Sequence, residues 1–216
     1  MRKIETQMIF KTGAASVAPD GAGEYWDLFD RQGNFVRVMR RGDGYVPPEL
    51  YHVTVEVIAT DFAGHLLVTQ RAWNKRRGAG RWEFPAGSVL SGERPEQAAL
   101  RELFEETGLR AQKLQKIQER RVPGMLRIAY LAYVPNLLTD PITLQIDETI
   151  NYHIATIPQW HQMIANKLFD NARLAMYSEG FYRVVESKVG LAGTEPEPSE
   201  KPVTAKVVKK VTFGED

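Results

Sequence analysis

A run of glutamates and one arginine, set between two glycines, stands out in the middle of the chain. It reads G-x5-E-x7-R-E-U-x-E-E-x-G-U, where U is an aliphatic residue. The specified residues are Gly87, Glu93, Arg101, Glu102, Leu103, Glu105, Glu106, Gly108 and Leu109. Carboxylates repeated at such short spacing are typical of sites that bind hard divalent cations through oxygen.

The spacing places the last three glutamates on one side of a predicted helix. Pro95 suits a first turn and Gly108 is a natural stop, so we expect the helix over about 95–107. At 100° per residue, an arc of roughly 100° holds Glu102, Glu105 and Glu106. A different side gathers the residues expected to pack, which are Ala99, Leu100, Leu103, Phe104 and Thr107. Because like charges three and four residues apart repel, the glutamates require a compensating cation.

The ligand chemistry favours Mg2+ or Mn2+ as that cation. The candidate ligands are all oxygens, and the chain has no cysteine, which is the commonest ligand of structural zinc. Ala98, one turn before Glu102, is expected to leave room for ions and phosphate oxygens. Such a cation favours a diphosphate substrate, since it polarises a phosphoryl oxygen and neutralises the leaving group. The alternative, an ordinary solvated helix, does not account for the flanking glycines.

The complete pattern is similar to the signature of Nudix hydrolases. The resemblance implies an α+β fold, an α/β/α sandwich with a mixed central sheet. It also implies that Glu102, Glu105 and Glu106 bind the catalytic metals, helped by the carbonyl of Gly87. In the family, the residues corresponding to Glu93 and Arg101 brace the loop against the helix. For Arg101 itself, a structural ion pair and a part in catalysis are both open.

A second resemblance concerns the segments that flank the central strand. Residues 24–34, Tyr51-His52 and residues 67–75 look like the opening of isopentenyl diphosphate isomerase and its Nudix relatives. The likeness implies that Arg71 and Lys75 bind the diphosphate. However, Ala86-Gly87-Ser88 stands where the isomerase carries Cys-Gly-His, and the chain holds no other thiol. Because the isomerase needs that proton-transferring group, we exclude isomerase activity and expect hydrolysis.

The general base for the attacking water is expected outside the pattern. In many Nudix hydrolases it lies in a loop before the strand that leads into the last helices, where this chain has Asp147-Glu148. Glu148 is the first candidate and Asp147 the second, although both also suit a simple turn. Glu106 is a further alternative if the metals leave one of its oxygens free. The four histidines are scattered and are expected to be ordinary surface or core residues.

Length and composition indicate one globular domain with appendages. The chain has 216 residues, 43% hydrophobic and 25% charged, with a formal charge of +1. This charge gives no global attraction to nucleic acid or to a membrane surface, so neither is expected as a partner. The expected partner is the small-molecule diphosphate, and the resemblance to Nudix domains makes a homodimer possible. No run of apolar residues is long enough to span a membrane, and with no cysteine we expect a cytoplasmic protein. The predicted units are an N-terminal arm (1–20), the Nudix domain (21–186) and a flexible polar tail (187–216).

Pattern and turn signals predict the elements around the helix. Strands are expected at 24–30, 35–40, 52–59, 66–71, 82–86, 125–134 and 150–157. Helices are expected at 158–169 and from Asp170 to about 186. Within the tail, residues 203–213 alternate enough to add as an edge strand on a partner.

The group attached to the diphosphate is left open. Nucleoside triphosphates, nucleotide sugars, dinucleotides, coenzyme A and isoprenoid diphosphates all fit a diphosphate site. Trp73 and Trp82 have rings suited to stacking on a base, but they equally suit packing. Two other readings are a non-catalytic Nudix-fold module that senses a nucleotide or sugar diphosphate, and an interaction role centred on the tail.

Overall fold

The fold is known from a computed structural model, which describes residues 23–61, 63–170 and 180–189. The predicted arm (1–20) and residues 190–216 of the predicted tail lie outside the described residues, as does the predicted start of the last helix at 171–179. The strands are β1 (Tyr25–Phe29), β2 (Phe35–Arg40), β3 (His52–Thr60), β4 (His65–Arg71), β5 (Trp82–Glu83), β6 (Ala86–Ser88), β7 (Lys113–Val122), β8 (Met125–Tyr133) and β9 (Thr149–Thr156). The helices are α1 (Pro95–Thr107), α2 (Ile157–Ala165) and α3 (Gly180–Val189).

The main sheet is mixed, as expected, and β3 lies at its centre. β3 runs parallel to β8, with His52 opposite Met125 and Thr60 opposite Tyr133. The other pairings are antiparallel and give the order β5-β4-β3-β8-β7, with β6 also against β3 and β9 also against β4. A strand with neighbours on both sides and cover on both faces is buried nearly throughout, and eight of the nine residues of β3 are buried.

Helices cover both faces of this sheet, which confirms the predicted α/β/α sandwich. On one face, Val55 and Val57 belong to the core that includes Ala98, Ala99 and Leu103 of α1. On the opposite face, a second core includes Ile58 and Leu66 of the sheet, Trp160 of α2, and Phe181 and Val185 of α3. The glutamate-bearing helix is therefore held by the first core alone.

A separate hairpin precedes the main sheet, as the turn signals predicted. β1 and β2 pair antiparallel, and the Asp30 carboxylate accepts hydrogen bonds from the backbone N–H groups of Gln32 and Asn34 at 2.8 and 2.9 Å. Gly33 has φ 84°, a conformation that glycine adopts without steric cost. Reciprocal backbone hydrogen bonds between Phe29 and Tyr51, both 2.9 Å, join the hairpin to the residue before β3.

Three predictions about the elements were wrong. A ten-residue strand, β7, occupies a stretch where none was predicted. The helix expected over 158–169 is α2, and it ends at Ala165 because Lys167 adopts a left-handed conformation with φ 57°. On α1, Leu100 and Phe104 were expected to pack but are 42% and 43% exposed.

The sequence predicted that the small residue Ala98 would leave room for ions, and this prediction was wrong. Its side chain is fully buried, and it belongs to the core beside Ala99 and Leu103. The buried face of α1 consists of Pro95, Ala98, Ala99, Leu103, Glu106 and Thr107, and it excludes Leu100 and Phe104. Among the described residues, no helix has the length and apolar character needed to cross a membrane.

Candidate active site

The glutamate-bearing helix begins and ends as its sequence predicts. At its start, the backbone N–H of Arg94 donates to Oε1 of Gln97 at 3.0 Å, and Pro95 occupies the first turn. At its end, Gly108 has φ 74° and its N–H donates to the Phe104 carbonyl at 2.7 Å. A left-handed glycine here satisfies a carbonyl that the helix would otherwise leave unpaired.

Arg101 organises the carboxylates on the exposed side of α1. Its Nε and Nη2 donate to the two carboxylate oxygens of Glu93, both at 2.9 Å. Its Nη1 donates to Glu102 at 2.8 Å and to Glu105 at 3.1 Å, while Nη2 also donates to the Ser88 carbonyl at 3.0 Å. The carboxylates of Glu93 and Glu102 raise the pKa of the Arg101 guanidinium, above all through the hydrogen bonds with Glu93. One guanidinium therefore joins the loop before the helix to two of the three glutamates that were predicted to bind metal.

Glu102 lies against the backbone of Gly87. The side chain of Glu102 is 14% exposed, and a Cβ built on Gly87 would come within 1.9 Å of its Oε1. Burial raises the pKa of the Glu102 carboxyl, and the neighbouring Arg101 opposes that shift. Glycine is required at 87 because the carboxylate occupies the space of any side chain, not because of the backbone conformation.

Glu106 is held on the buried side of the same cluster. Its side chain accepts a hydrogen bond from the Ala86 backbone N–H at 3.2 Å and one from the Thr149 hydroxyl at 3.3 Å. The residue is only 6% exposed, whereas the Glu105 side chain is 48% exposed. Glu106 is thus the most buried of the three glutamates and Glu105 the most exposed, while Glu102 is intermediate in exposure.

The donors present fit a hard divalent cation, although the carboxylates do not converge on one point as they stand. Within the described part of the chain, no three acidic or histidine side chains form a group positioned to hold a metal ion. Arg101 contacts Glu102 and Glu105, and so lies where positive charge is needed. The all-oxygen donor set suits Mg2+ or Mn2+.

The two predicted phosphate ligands make different contacts. The ammonium of Lys75 contacts the carboxylate of Glu148, and the Glu148 carbonyl accepts from the Ala72 N–H at 2.9 Å. Arg71 instead donates from Nη1 to the buried Glu83 at 2.6 Å and from Nε to the Arg77 carbonyl at 3.1 Å. The structure therefore brings Lys75 and Glu148 together, and fixes Arg71 by a carboxylate that sequence reasoning missed.

The remaining predicted residues lie at the edge of this region. Asp147 is exposed. Trp73 is 71% exposed and lies over Gly80, where a Cβ would come within 2.1 Å of its ring. Trp82 is half-buried, and its ring meets that of His153 edge-on at 6.4 Å between centroids. Trp73 is thus the more accessible of the two rings proposed for stacking.

The family model for the NUDIX domain matches residues 50–162. The chain belongs to the Nudix family. Similar curated proteins are RNA pyrophosphohydrolases from Actinobacillus succinogenes, 43% identical over 67 residues, and Pectobacterium atrosepticum, 37% identical over 79 residues. The matches cover 31% and 37% of this chain and 28% and 38% of those proteins, so the chain spans about a third of the length of these relatives.

A solved structure supports the Nudix fold independently of sequence. DR0079 from Deinococcus radiodurans superposes with a TM-score of 0.59 at 18% identity, over 72% of this chain and 100% of that one. At this identity the likeness shows the fold alone. The β1–β2 hairpin lies before the residues that the family model matches.

A polar cluster at one end of β3 was not expected from the sequence of this Nudix domain. His52, 7% exposed, stacks on Trp26 with 4.4 Å between ring centroids. On the same face of the sheet, Arg127 contacts the buried Glu56 at 3.4 Å. The alternation of His52, Thr54 and Glu56 in an otherwise apolar strand was the available signal, since every second residue of a strand shares a face.

Proposed function

We propose that this chain is a metal-dependent Nudix hydrolase that cleaves the pyrophosphate linkage of a nucleoside-diphosphate-type or other organic diphosphate by water attack on phosphorus. The observation that carries the proposal is the contact between Glu102 and Gly87. A carboxylate pressed into the space of a missing side chain, beside an arginine that already holds two glutamates, is a local concentration of negative charge. The single positive charge of Arg101 offsets only one of the three carboxylates that it contacts, so the remaining negative charge favours the binding of a cation.

The metal would be held by Glu102, Glu105 and Glu106, with the Gly87 carbonyl as a further oxygen donor. When bound, Mg2+ or Mn2+ supplies charge neutralisation at the phosphates and acidifies a coordinated water. Arg101 keeps the side chains of Glu102 and Glu105 oriented by hydrogen bonds and is not itself a ligand. The glutamates would supply the negative charge that binds the metal, and Arg101 would hold two of their side chains in position.

The substrate phosphates would be bound by the loop that follows β4. Lys75 presents an ammonium next to Glu148, and Arg71 contributes from the start of the same loop with its guanidinium fixed by Glu83. Cationic side chains on one loop suit a diphosphate, whose outer oxygens each carry partial negative charge. Lys75 would exchange Glu148 for a phosphate oxygen when substrate binds.

Glu148 is the proposed general base. It immediately precedes Thr149, whose hydroxyl donates to Glu106, and so its backbone lies next to the carboxylates of α1. Glu148 would take a proton from water while the water oxygen forms a bond to phosphorus. The bond from that phosphorus to the bridging oxygen breaks, and its electron pair leaves with the departing phosphate. Two phosphorylated products result.

Only the names of the relatives indicate which group is attached to the diphosphate of the substrate. Those cited above are named RNA pyrophosphohydrolases. The 5′ end of a triphosphorylated RNA presents the same anhydride as a free nucleotide. RNA is therefore a second candidate substrate, although the near-neutral composition predicted no nucleic-acid partner. We further propose that the chain belongs to the isomerase-like subgroup, and the absence of cysteine argues against isomerase activity itself.

A substrate panel with a matched pair of variants tests this function. The wild-type protein is incubated with Mg2+ or Mn2+ in 18O water and the candidate diphosphates, including a triphosphorylated RNA, and the products are identified by mass. We expect Glu105→Gln to lower turnover about 1,000-fold, because the change removes charge at a cation site. Glu96→Gln is the control, since Glu96 lies on the same helix but contacts Tyr130.

The outcomes separate hydrolysis from its alternatives. Release of two phosphorylated products by wild type and Glu96→Gln, with loss in Glu105→Gln, supports the proposal. Equal turnover in all three proteins contradicts the assignment of the metal site. Tight binding of a nucleotide or sugar diphosphate without any phosphate release indicates the sensing module instead.

A further inference from the structure

The β1–β2 hairpin reaches the loop that connects β6 to α1. The carboxylate of Asp27 accepts a hydrogen bond from the Ser91 hydroxyl at 2.6 Å and one from the Gly92 N–H at 2.9 Å. The carbonyl of Tyr25 accepts from the Ser91 N–H at 2.7 Å. We name residues 88–93 the entry loop. Three hydrogen bonds thus attach it to an element outside the residues that the family model matches.

The entry loop leads directly into the contacts that orient the glutamates. Glu93, its last residue, accepts from the Leu90 N–H at 3.0 Å and from two nitrogens of Arg101. Ser88, its first residue, offers its carbonyl to Arg101 as well. A shift of the loop would therefore move Arg101, and with it Glu102.

The hairpin is itself a fixed support. Its β1 strand is joined to Tyr51 by reciprocal backbone hydrogen bonds, one residue before the central strand. Next to the other end of β1, the Glu24 carbonyl accepts a hydrogen bond from the Arg41 N–H at 2.8 Å. Glu24 is in turn held by Arg41, with 2.6 Å between Nη1 and Oε2.

The turn that Asp27 contacts includes Gly92, where little packs against the backbone. Gly92 has φ 77°, and nothing lies within 4 Å of the position that a Cβ would take. Little packing therefore restrains the loop at Gly92, and Asp27 accepts two of the three hydrogen bonds that attach the loop to the hairpin. Hydrogen bonds to an ionised carboxylate are about twice as strong as those between neutral groups.

We propose that Asp27 is a positioning residue for hydrolysis, which fixes the entry loop so that Gly87 and the carboxylates bound by Arg101 keep the arrangement that binds the metal. The inference rests on the proposed function. Groups that orient metal ligands typically change metal affinity or activity 10- to 100-fold when they are replaced. Asp27 touches neither metal nor substrate and acts through Ser91, Gly92, Glu93 and Arg101.

The test compares two isosteric changes in the same hairpin. Asp27→Asn removes the charge that accepts from Ser91 and Gly92. Asp30→Asn removes an equivalent charge that accepts only within the β1–β2 turn. Mn2+ affinity is measured by calorimetry, hydrolysis by kcat and KM, and loop order by amide exchange at Gly92, all at a temperature where thermal melts show both variants folded.

Asp27→Asn is expected to weaken Mn2+ binding at least 10-fold, to lower kcat/KM accordingly and to speed exchange at Gly92. Asp30→Asn is expected to lower the melting temperature while leaving Mn2+ affinity and kcat unchanged. Ser91→Ala should produce a smaller loss that is not additive with that of Asp27→Asn, since both changes alter the contact between residues 27 and 91.

Two failures are distinguishable. Wild-type Mn2+ affinity and kcat/KM in Asp27→Asn, or equal losses in Asp30→Asn, would overturn the positioning role while leaving the hydrolase intact. A wild-type protein that binds no Mn2+ and cleaves no diphosphate would overturn the proposed function, and this inference with it. If wild type binds Mn2+ without hydrolysis, an unshifted Mn2+ affinity in Asp27→Asn still refutes the inference.

Discussion

The hydroxyl of Thr149 donates a hydrogen bond to Oε2 of Glu106 at 3.3 Å, which ties the first residue of β9 to the last turn of α1. Both residues are buried, at 2% and 6% exposure. The residue before Thr149 is Glu148, whose carboxylate contacts Lys75. Elements that are more than forty residues apart in sequence thus bring the proposed base, the proposed phosphate ligand and one glutamate of the metal site into one region.

The Lys75–Glu148 pair should behave as two coupled functional residues. Glu148→Gln is expected to lower kcat about 100-fold or more, because the attacking water loses its proton acceptor. Lys75→Met should mainly raise KM, since it removes a cation that binds phosphate. Steady-state kinetics of the two single variants and the double variant give the coupling free energy of the pair.

Asp147→Asn is the matched control for the base, because Asp147 is adjacent and exposed. A wild-type rate in Glu148→Gln across the accessible pH range eliminates Glu148. Loss of activity in Asp147→Asn alone transfers the role to Asp147.

The sequence predicted the parts of the site that one element determines. Pro95 and Gly108 mark the ends of α1, and helical periodicity gathers its glutamates on one side, so both could be predicted from local rules. The hairpin turn was equally local, because Asp30 and Gly33 satisfy it within five residues. These predictions required no knowledge of what packs against the element.

The sequence could not predict features that depend on the packing of separate elements. β7 was not predicted because its register shifts between Lys116 and Gln118, which breaks the alternation of exposed and buried residues. The pairing of Arg71 with Glu83 depends on β4 lying beside β5. The helical wheel gave the apolar side of α1 but not its width, which is why Phe104 was predicted to be buried.

Gly87→Ala should disrupt the metal site without straining the backbone. The new Cβ would overlap the Glu102 carboxylate at 1.9 Å, so that side chain must move away from the loop. We expect Mn2+ affinity to fall about 10-fold or more, measured by calorimetry. Gly23→Ala is the control, since its Cβ would meet only the flexible guanidinium of Arg40 at 2.8 Å. Equal Mn2+ affinity in both variants would contradict the role of Gly87.

Arg101→Lys should destabilise the fold as well as the site. The guanidinium makes five hydrogen bonds in a fixed fork, and its side chain is only 24% exposed. An ammonium cannot reproduce the bidentate contact with Glu93, so we expect the free energy of unfolding to fall by about 2 kcal/mol. Urea unfolding measures the change.

Arg41→Lys serves as the comparison for this effect, because its pair with Glu24 is exposed on both sides, at 60% and 45%. Exposed pairs contribute about 0 to 1 kcal/mol, so this variant should unfold close to wild type. If Arg41→Lys lowered the free energy of unfolding as much as Arg101→Lys, the hydrogen bonds of Arg101 would contribute no more than an exposed ion pair.

His52 should make the fold less stable in acid. Burial lowers the pKa of His52 from 6.5 to about 4, with Arg127 and Arg41 adding to the shift. Between these values the unfolded chain binds a proton that the folded chain refuses, so the free energy of unfolding falls as pH decreases from 6.5 towards 4. The shift corresponds to about 3 kcal/mol across that window and to nothing above pH 7.

His52→Gln removes the titration, and its stability should decline less steeply over the same range. Urea unfolding at several pH values, followed by tryptophan fluorescence, compares the two slopes, and other titrating groups cancel because they are common to both proteins. Parallel curves between pH 6.5 and 4 would show that His52 takes up its proton equally in the folded and unfolded chains, and hence that burial against Trp26 does not exclude its charge.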